Sequence, residues 1–213
     1  MVTVIKDKEA IYDVTQYDAV LVGISTHNTL MGNFQSKMGV RFPEIVDAID
    51  STPYGDTRKL GKRIILEGTE PSVCLMFICT YPSRKSEFVD YDALEKCLRA
   101  ANAEFKGKKV ATTLLGSSKF DGRGDAERCM AIIKDCCKDV DLYVYDYEQI
   151  SVKDEIDRQK KYFRSLKERY KGDRNALEKI NETMMEMRRK TYLPTDMYIA
   201  SRKRKEVDDI LNS

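Results

Sequence analysis

Ala19-Val-Leu-Val-Gly-Ile-Ser-Thr-His-Asn-Thr-Leu-Met-Gly-Asn-Phe34 is the stretch that decides how this chain is read. Its first six residues are apolar without alternation, the pattern of a strand covered on both faces. A polar loop with one glycine follows, and a helix is expected from about Gln35. A doubly covered strand requires helices on both sides of its sheet, so the fold class is α/β.

Working outward, similar strand-length runs occur at Val2-Thr-Val-Ile5, Arg63-Ile-Ile-Leu-Glu67, Val73-Cys-Leu-Met-Phe-Ile-Cys79, Lys109-Val-Ala-Thr-Thr-Leu-Leu115 and Asp141-Leu-Tyr-Val-Tyr-Asp146. Between them, Leu94, Cys97, Leu98 and Ala101 recur at helical spacing, as do Cys129, Met130, Ile133 and Cys136. Pro43 divides residues 35–50 into two short helices, the second burying Ile45, Val46 and Ile49. The expectation is a mainly parallel or mixed sheet with helices on both faces.

After Gln149 the composition changes and no further strand is read, so the chain divides into residues 1–149 and a charged helical extension, 150–213. Ile156, Phe163, Leu166 and Tyr170 form one stripe, and Leu177, Ile180, Met184 and Met187 another. Lys171-Gly-Asp173 separates them, with Gly172 expected in a left-handed cap and Asp173 capping the next helix. Pro194 ends this hairpin, and a short third helix over Val207, Ile210 and Leu211 competes with a frayed end. The extension carries 17 Lys and Arg against 12 Asp and Glu, leaving 20 against 23 in residues 1–150. Its signs are interspersed, as on solvated helices, so nucleic acid is not the expected partner.

Six cysteines fall on apolar faces, with no metal-type pairing and no signal peptide ahead of them. They read as reduced core residues of a cytoplasmic protein. No apolar run is long enough to span a bilayer, so no membrane is expected. Neither a cofactor nor a metal is called for.

Two loops can hold an anion, since ligands of open α/β sheets sit beyond the carboxyl ends of strands. In the first, Ser25 to Phe34, Gly32 allows a positive φ and close backbone approach, and Asn33 is placed to cap the helix. The second reads Gly116-Ser-Ser-Lys-Phe-Asp-Gly-Arg-Gly124. Its glycines and serines suit a nest of backbone N–H groups, supplemented by Lys119 and Arg123.

The order of these parts resembles the macro domain over residues 1–149, and more narrowly the branch similar to ADP-ribose-1″-phosphate phosphatases and terminal-glutamate ADP-ribose hydrolases. The residues that carry the resemblance begin with Asp18-Ala-Val-Leu-Val, Ser25-Thr-His-Asn28, Met31-Gly32 and Phe42-Pro-Glu44. They continue through Tyr54-Gly-Asp56, Leu60-Gly61, Asp92-Ala-Leu-Glu-Lys-Cys-Leu98 and the Gly116–Gly124 loop. The resemblance implies a three-layer mixed sheet and ADP-ribose, or an ADP-ribosylated substrate, as ligand. It carries distal-ribose and phosphate contacts to Asn28, Gly32 and Asn33, and diphosphate contacts to Gly116, Ser117, Ser118, Lys119 and Phe120, with Phe120 against a ribose. A catalytic Asp inside the later loop corresponds to Asp121, across one extra residue. The family's second glycine, two positions after Gly32, is replaced here by Phe34, whose ring either closes the ribose pocket or turns into the core and caps it. The strand ending Cys79-Thr80-Tyr81 lacks the lysine that forms an adduct in some of these hydrolases. Asp7 and Asp13 are alternatives for reading adenine.

His27, the only histidine, stands at the mouth of the first loop, where a general acid or base is needed. Asp121 is placed to activate a water against an anomeric carbon, or to hold a distal-ribose hydroxyl. Tyr143, Tyr145 and Tyr147 alternate along the last strand, as a half-buried strand or an adenine-stacking face would. Three functions compete. One is an ADP-ribose hydrolase or phosphatase; another is a non-catalytic ADP-ribose or nucleotide reader. The third is a degenerate scaffold acting through residues 150–213, by a protein partner or by self-association around Met184, Met185 and Met187.

Overall fold

The computed structural model describes residues 1–6, 13–30, 32–66, 68–80, 86–118, 121–146, 152–183 and 185. Six strands, β1 (Val2–Ile5), β2 (Ala19–Ser25), β3 (Arg63–Leu66), β4 (Ser72–Cys79), β5 (Lys109–Thr113) and β6 (Asp141–Tyr145), form one sheet in the order β1-β6-β5-β2-β4-β3. Five run parallel, and β3 pairs antiparallel with β4 at one edge. All six expected strands are present. The strand expected to reach Leu115 ends at Thr113, because Leu115, Gly116 and Ser117 already form a turn.

Alternation along β2 feeds two cores. Leu21 packs with Cys74, Met76 and Ile78 under α3 (Tyr91–Glu104) and α4 (Ala126–Cys136), through Leu94, Leu98, Cys129 and Ile133. Val20, Val22 and Ile24 face the other way, with Leu75 and Phe77, against α1 (Asn33–Arg41) and α2 (Glu44–Asp50). The molecule is thus a three-layer α/β/α structure. Pro43 precedes α2 as its cap residue, its fixed φ suiting a helix start, and Ile45 and Ile49 are the buried face. The described cysteines are all free and buried. Burial pushes the Cys74, Cys97, Cys129 and Cys137 thiols up to about 12, which leaves them protonated core residues.

Beyond the sheet, α5 (Val152–Arg169) docks on α1, and its Phe163 is buried. A further helical stretch over 174–183 starts at Asp173, whose carboxylate accepts from the Ala176 N–H at 3.0 Å. Gly172 does not take the expected left-handed conformation. The turn is instead closed by Asp173 N–H to the Tyr170 carbonyl at 2.9 Å. Met184, Met187, Pro194 and the third-helix residues Val207, Ile210 and Leu211 lie outside the described residues, as do Gln149 and the side chain of Ile156. No helix among the described residues is long and apolar enough to cross a membrane.

Candidate functional site

β2 lies between β5 and β4 and parallel to both, so the segments leaving Ser25, Thr113 and Cys79 emerge at one edge of the sheet. The chain leaves β2 toward β3 and leaves β5 toward β6, the arrangement in which open α/β sheets bind ligands at the strands' carboxyl ends. The two loops singled out from the sequence therefore stand side by side.

The first loop is held from beneath by a buried cation. Asn28, only 3% exposed, has φ 52, in the left-handed region, and its amide donates to the carbonyls of Ile49 at 2.9 Å and Thr52 at 3.0 Å. Its Oδ1 accepts from the ammonium of Lys59. Lys59 ends the short 3-10 turn Thr57–Lys59 and is 5% exposed. It also donates to Thr52 Oγ1 at 3.1 Å and lies 4.7 Å from the centroid of the Phe77 ring. Burial lowers its pKa, with Asp56 partly opposing. Among the described residues no carboxylate lies within ion-pair distance of it. The sequence reading missed Lys59, which sits in a polar turn without periodicity. Its one signal was its place between Tyr54-Gly-Asp56 and Leu60-Gly61.

His27 is half-buried, its Nδ1 3.2 Å from Thr26 Oγ1 and its ring edge-to-face with exposed Tyr54, centroids 5.0 Å apart. Gly55 carries this arrangement: its N–H donates to the Thr26 carbonyl at 2.8 Å, and at φ +70 it passes close to the imidazole. Burial, then the Lys59 charge, lower the His27 pKa, so its ring is neutral at neutral pH.

Gly32 and Asn33 depart from expectation. Gly32 has φ −80, not a positive φ, and is itself the cap residue, so Asn33 begins the helix rather than capping it. The Gln35 side chain supplies the cap, accepting from Gly32 N–H at 3.0 Å and donating to the Gly23 carbonyl at 2.6 Å. Phe34 is 1% exposed and packs in the core with Val22, Met38 and Ile45, so of the two alternatives its ring takes the inward one. Met31 and the Asn33 side chain lie outside the described residues.

The second loop is organised by a buried carboxylate. Asp121, 2% exposed, accepts from the Ser118 N–H at 2.8 Å, and the nearby Ser118 hydroxyl and Gly116 N–H favour its ionised form. The Ser118 carbonyl in turn accepts the N–H groups of Asp121, Gly122 and Arg123 at 3.2, 3.1 and 2.8 Å. The Ser117 hydroxyl donates to the Leu114 carbonyl at 2.7 Å. Phe88 and Val89 lash the loop down by donating to the Gly122 carbonyl at 2.7 and 2.9 Å. Glycine is required at 122, because a Cβ there would lie 2.2 Å from the Gly116 oxygen and 2.6 Å from Val89 Cβ. Desolvation outweighs the hydrogen bonds and pushes the Asp121 carboxyl up to about 7. Lys119 and Phe120 lie outside the described residues.

The remaining sequence candidates scatter. Tyr145 is buried and hydrogen-bonds the Tyr17 hydroxyl, with the Tyr143 ring tilted against Tyr17, which is core packing. Tyr147 and Asp7 are outside the described residues, and Asp13 is bonded to Thr15 at 2.6 Å. Among the described residues no group of His, Cys, Asp and Glu is arranged to hold a metal ion.

No protein-family model matches the chain, and no curated protein matches it. Solved structures do. The macrodomain of Thermus aquaticus DarG is 12% identical with a TM-score of 0.51, the match covering 69% of this chain and 99% of that one. The macrodomain of Mycobacterium tuberculosis DarG is 14% identical with a TM-score of 0.54, over 68% and 97%. Thermosipho africanus DarTG in complex with ADP-ribose is 12% identical with a TM-score of 0.53, over 68% of this chain and 41% of that one. At such identities the likeness is one of fold, and the fold is that of a macro domain.

Proposed function

We propose that this chain recognises ADP-ribose, free or attached to a protein, with the first loop at the distal-ribose end and the Gly116–Gly124 loop at the diphosphate. The observation that carries this reading is the placement of both loops at the carboxyl ends of adjacent parallel strands, each leading into a helix N-terminus, where N–H groups and the helix dipole favour an anion. That one solved structure of this fold holds ADP-ribose adds support. Calorimetric titration with ADP-ribose, against AMP and ribose 5-phosphate, tests it. Micromolar, ADP-ribose-selective binding is expected; no heat and no thermal shift at any temperature tried would sink the reading.

A second reading adds hydrolysis of ADP-ribose-1″-phosphate or of a protein-linked ADP-ribose. The Asp121 carboxyl favours it, since a group pushed up to about 7 both gives and takes a proton near neutrality. Neutral His27 is the alternative base. In this reading Asp121 leaves its loop contacts and activates a water. Turnover lost with binding retained in Asp121→Ala supports it, and turnover unchanged in both Asp121→Ala and His27→Gln removes it.

Residues 150–213 are assigned to a protein partner or to a second copy, which sedimentation of the full chain over a concentration series tests for self-association.

A further inference from the structure

We infer that Asp121 is a specificity-determining residue whose carboxylate occupies the anion nest of the Gly116–Gly124 loop and must be displaced before a ligand phosphate can enter. The inference rests on the proposed reading of this loop as the diphosphate site, and it adds that the site carries its own competitor.

The geometry is that of a filled anion site. The Asp121 Oδ1 takes the Ser118 N–H at 2.8 Å, and the Ser118 hydroxyl and the Gly116 N–H stand near enough to the carboxylate to favour its charge. These are the donors a phosphate oxygen would use. The N–H groups of residues 121 to 123 are folded back onto the Ser118 carbonyl, so the nest offers its donors to one anion at a time. Gly116, at φ 78, and Gly122 let the backbone close around that carboxylate, and Phe88 and Val89 hold the closed form. The resemblance of the sequence to the macro domain gave Gly116 and Ser118 to a ligand diphosphate instead.

Competition between a carboxylate and a phosphate is relieved when the carboxylate is protonated. Cys79 of β4 and Cys129 of α4 face Asp121, and Glu87 and Asp125 face Cys129 in turn. Both thiols are pushed up by burial and stay neutral below pH 8, so among these groups around the second loop the titration belongs to the carboxyl. The diphosphate of ADP-ribose carries constant charge over the same range, which makes it a clean probe.

The test uses the full chain, wild type and Asp121→Asn, with thermal unfolding to confirm that the variant folds. The probes are ADP-ribose, by calorimetry, and inorganic sulfate, read by NMR shifts of the Gly116 and Ser118 amides. Wild-type affinity for ADP-ribose is expected to fall about tenfold between pH 6 and pH 8, while Asp121→Asn stays flat and tight, about one pKa unit's worth of competition removed. Sulfate is expected to shift the two amides in Asp121→Asn at pH 8 and to leave them in wild type. Equal, pH-independent ADP-ribose binding by both proteins overturns the inference and leaves the proposed function standing. Sulfate shifts confined to the variant, with no ADP-ribose binding, do the reverse. If the variant fails to fold, the wild-type pH series decides alone, and a flat series overturns the inference.

Discussion

The two loops at the carboxyl edge are built on opposite charges. The first turns around a buried ammonium, Lys59, which fixes Asn28 and through it the exit from β2. The second turns around a buried carboxylate, Asp121, which accepts the Ser118 N–H of its own glycine-rich turn. Burial acts on both groups in the same sense, toward neutrality, lowering one pKa and raising the other. The comparison teaches that a loop with the composition of a ligand site commits many of its polar groups to its own folding. What remains for a ligand is decided by which of those commitments can be exchanged.

The sharpest way to break the second loop is Gly122→Ala. Its Cβ would meet backbone, which cannot move aside as a flexible side chain can, so a loss of about 3 kcal/mol is expected. Thermal unfolding should show a Tm lower by roughly 10 °C. An unchanged Tm would mean the loop is not held in this closed form.

Asn28→Ala breaks the first loop. It removes two donors to the Ile49 and Thr52 carbonyls, deprives the Lys59 ammonium of its amide oxygen and leaves alanine at φ 52. A cost of about 2 kcal/mol is expected by denaturant unfolding. Asn28→Gly should recover the backbone part of this, separating conformation from hydrogen bonding.

Proton linkage distinguishes the loops without removing either. Asp121 has a folded-state pKa of about 7 against 3.8, so between those values the native chain holds a proton that the unfolded chain has released. Stability from this group is full at low pH and is lost as pH rises through about 7. Wild-type Tm should therefore fall by a few degrees between pH 5 and pH 8 relative to Asp121→Asn. Coincident profiles would place the carboxylate in water.

The smallest effect is local. Lys59→Met removes a positive neighbour of His27, and the His27 pKa should rise, as followed by NMR of the ring. No movement would show that burial alone depresses it.

Much of the fold was legible because burial leaves a pattern in sequence. Ala19 to Ile24 carries apolar side chains on both faces of β2, and the Leu94–Ala101 and Cys129–Cys136 spacings mark the buried sides of α3 and α4. Candidate-site residues were legible only where a loop was anchored between such elements. The macro-domain resemblance singled out Asp121 and Asn28 in two such loops, but it did not single out Lys59 or Gln35. Lys59 lies 31 residues from Asn28, and no periodicity relates a polar turn to the amide it stabilises. Gln35 took over the capping expected of Asn33, because its longer side chain reaches both Gly32 N–H and the Gly23 carbonyl.

The sequence by itself determined an α/β sheet covered on both faces, the order of its six strands along the chain, and two polar loops at strand ends, since apolar periodicity and glycine placement are local properties. Only the tertiary structure decided that Phe34 turns inward, that Lys59 lies beneath the first loop and that Asp121 fills the second. Those outcomes depend on which distant groups share a desolvated space, and the free energy of a buried charge is set by neighbours that the linear order does not place beside it.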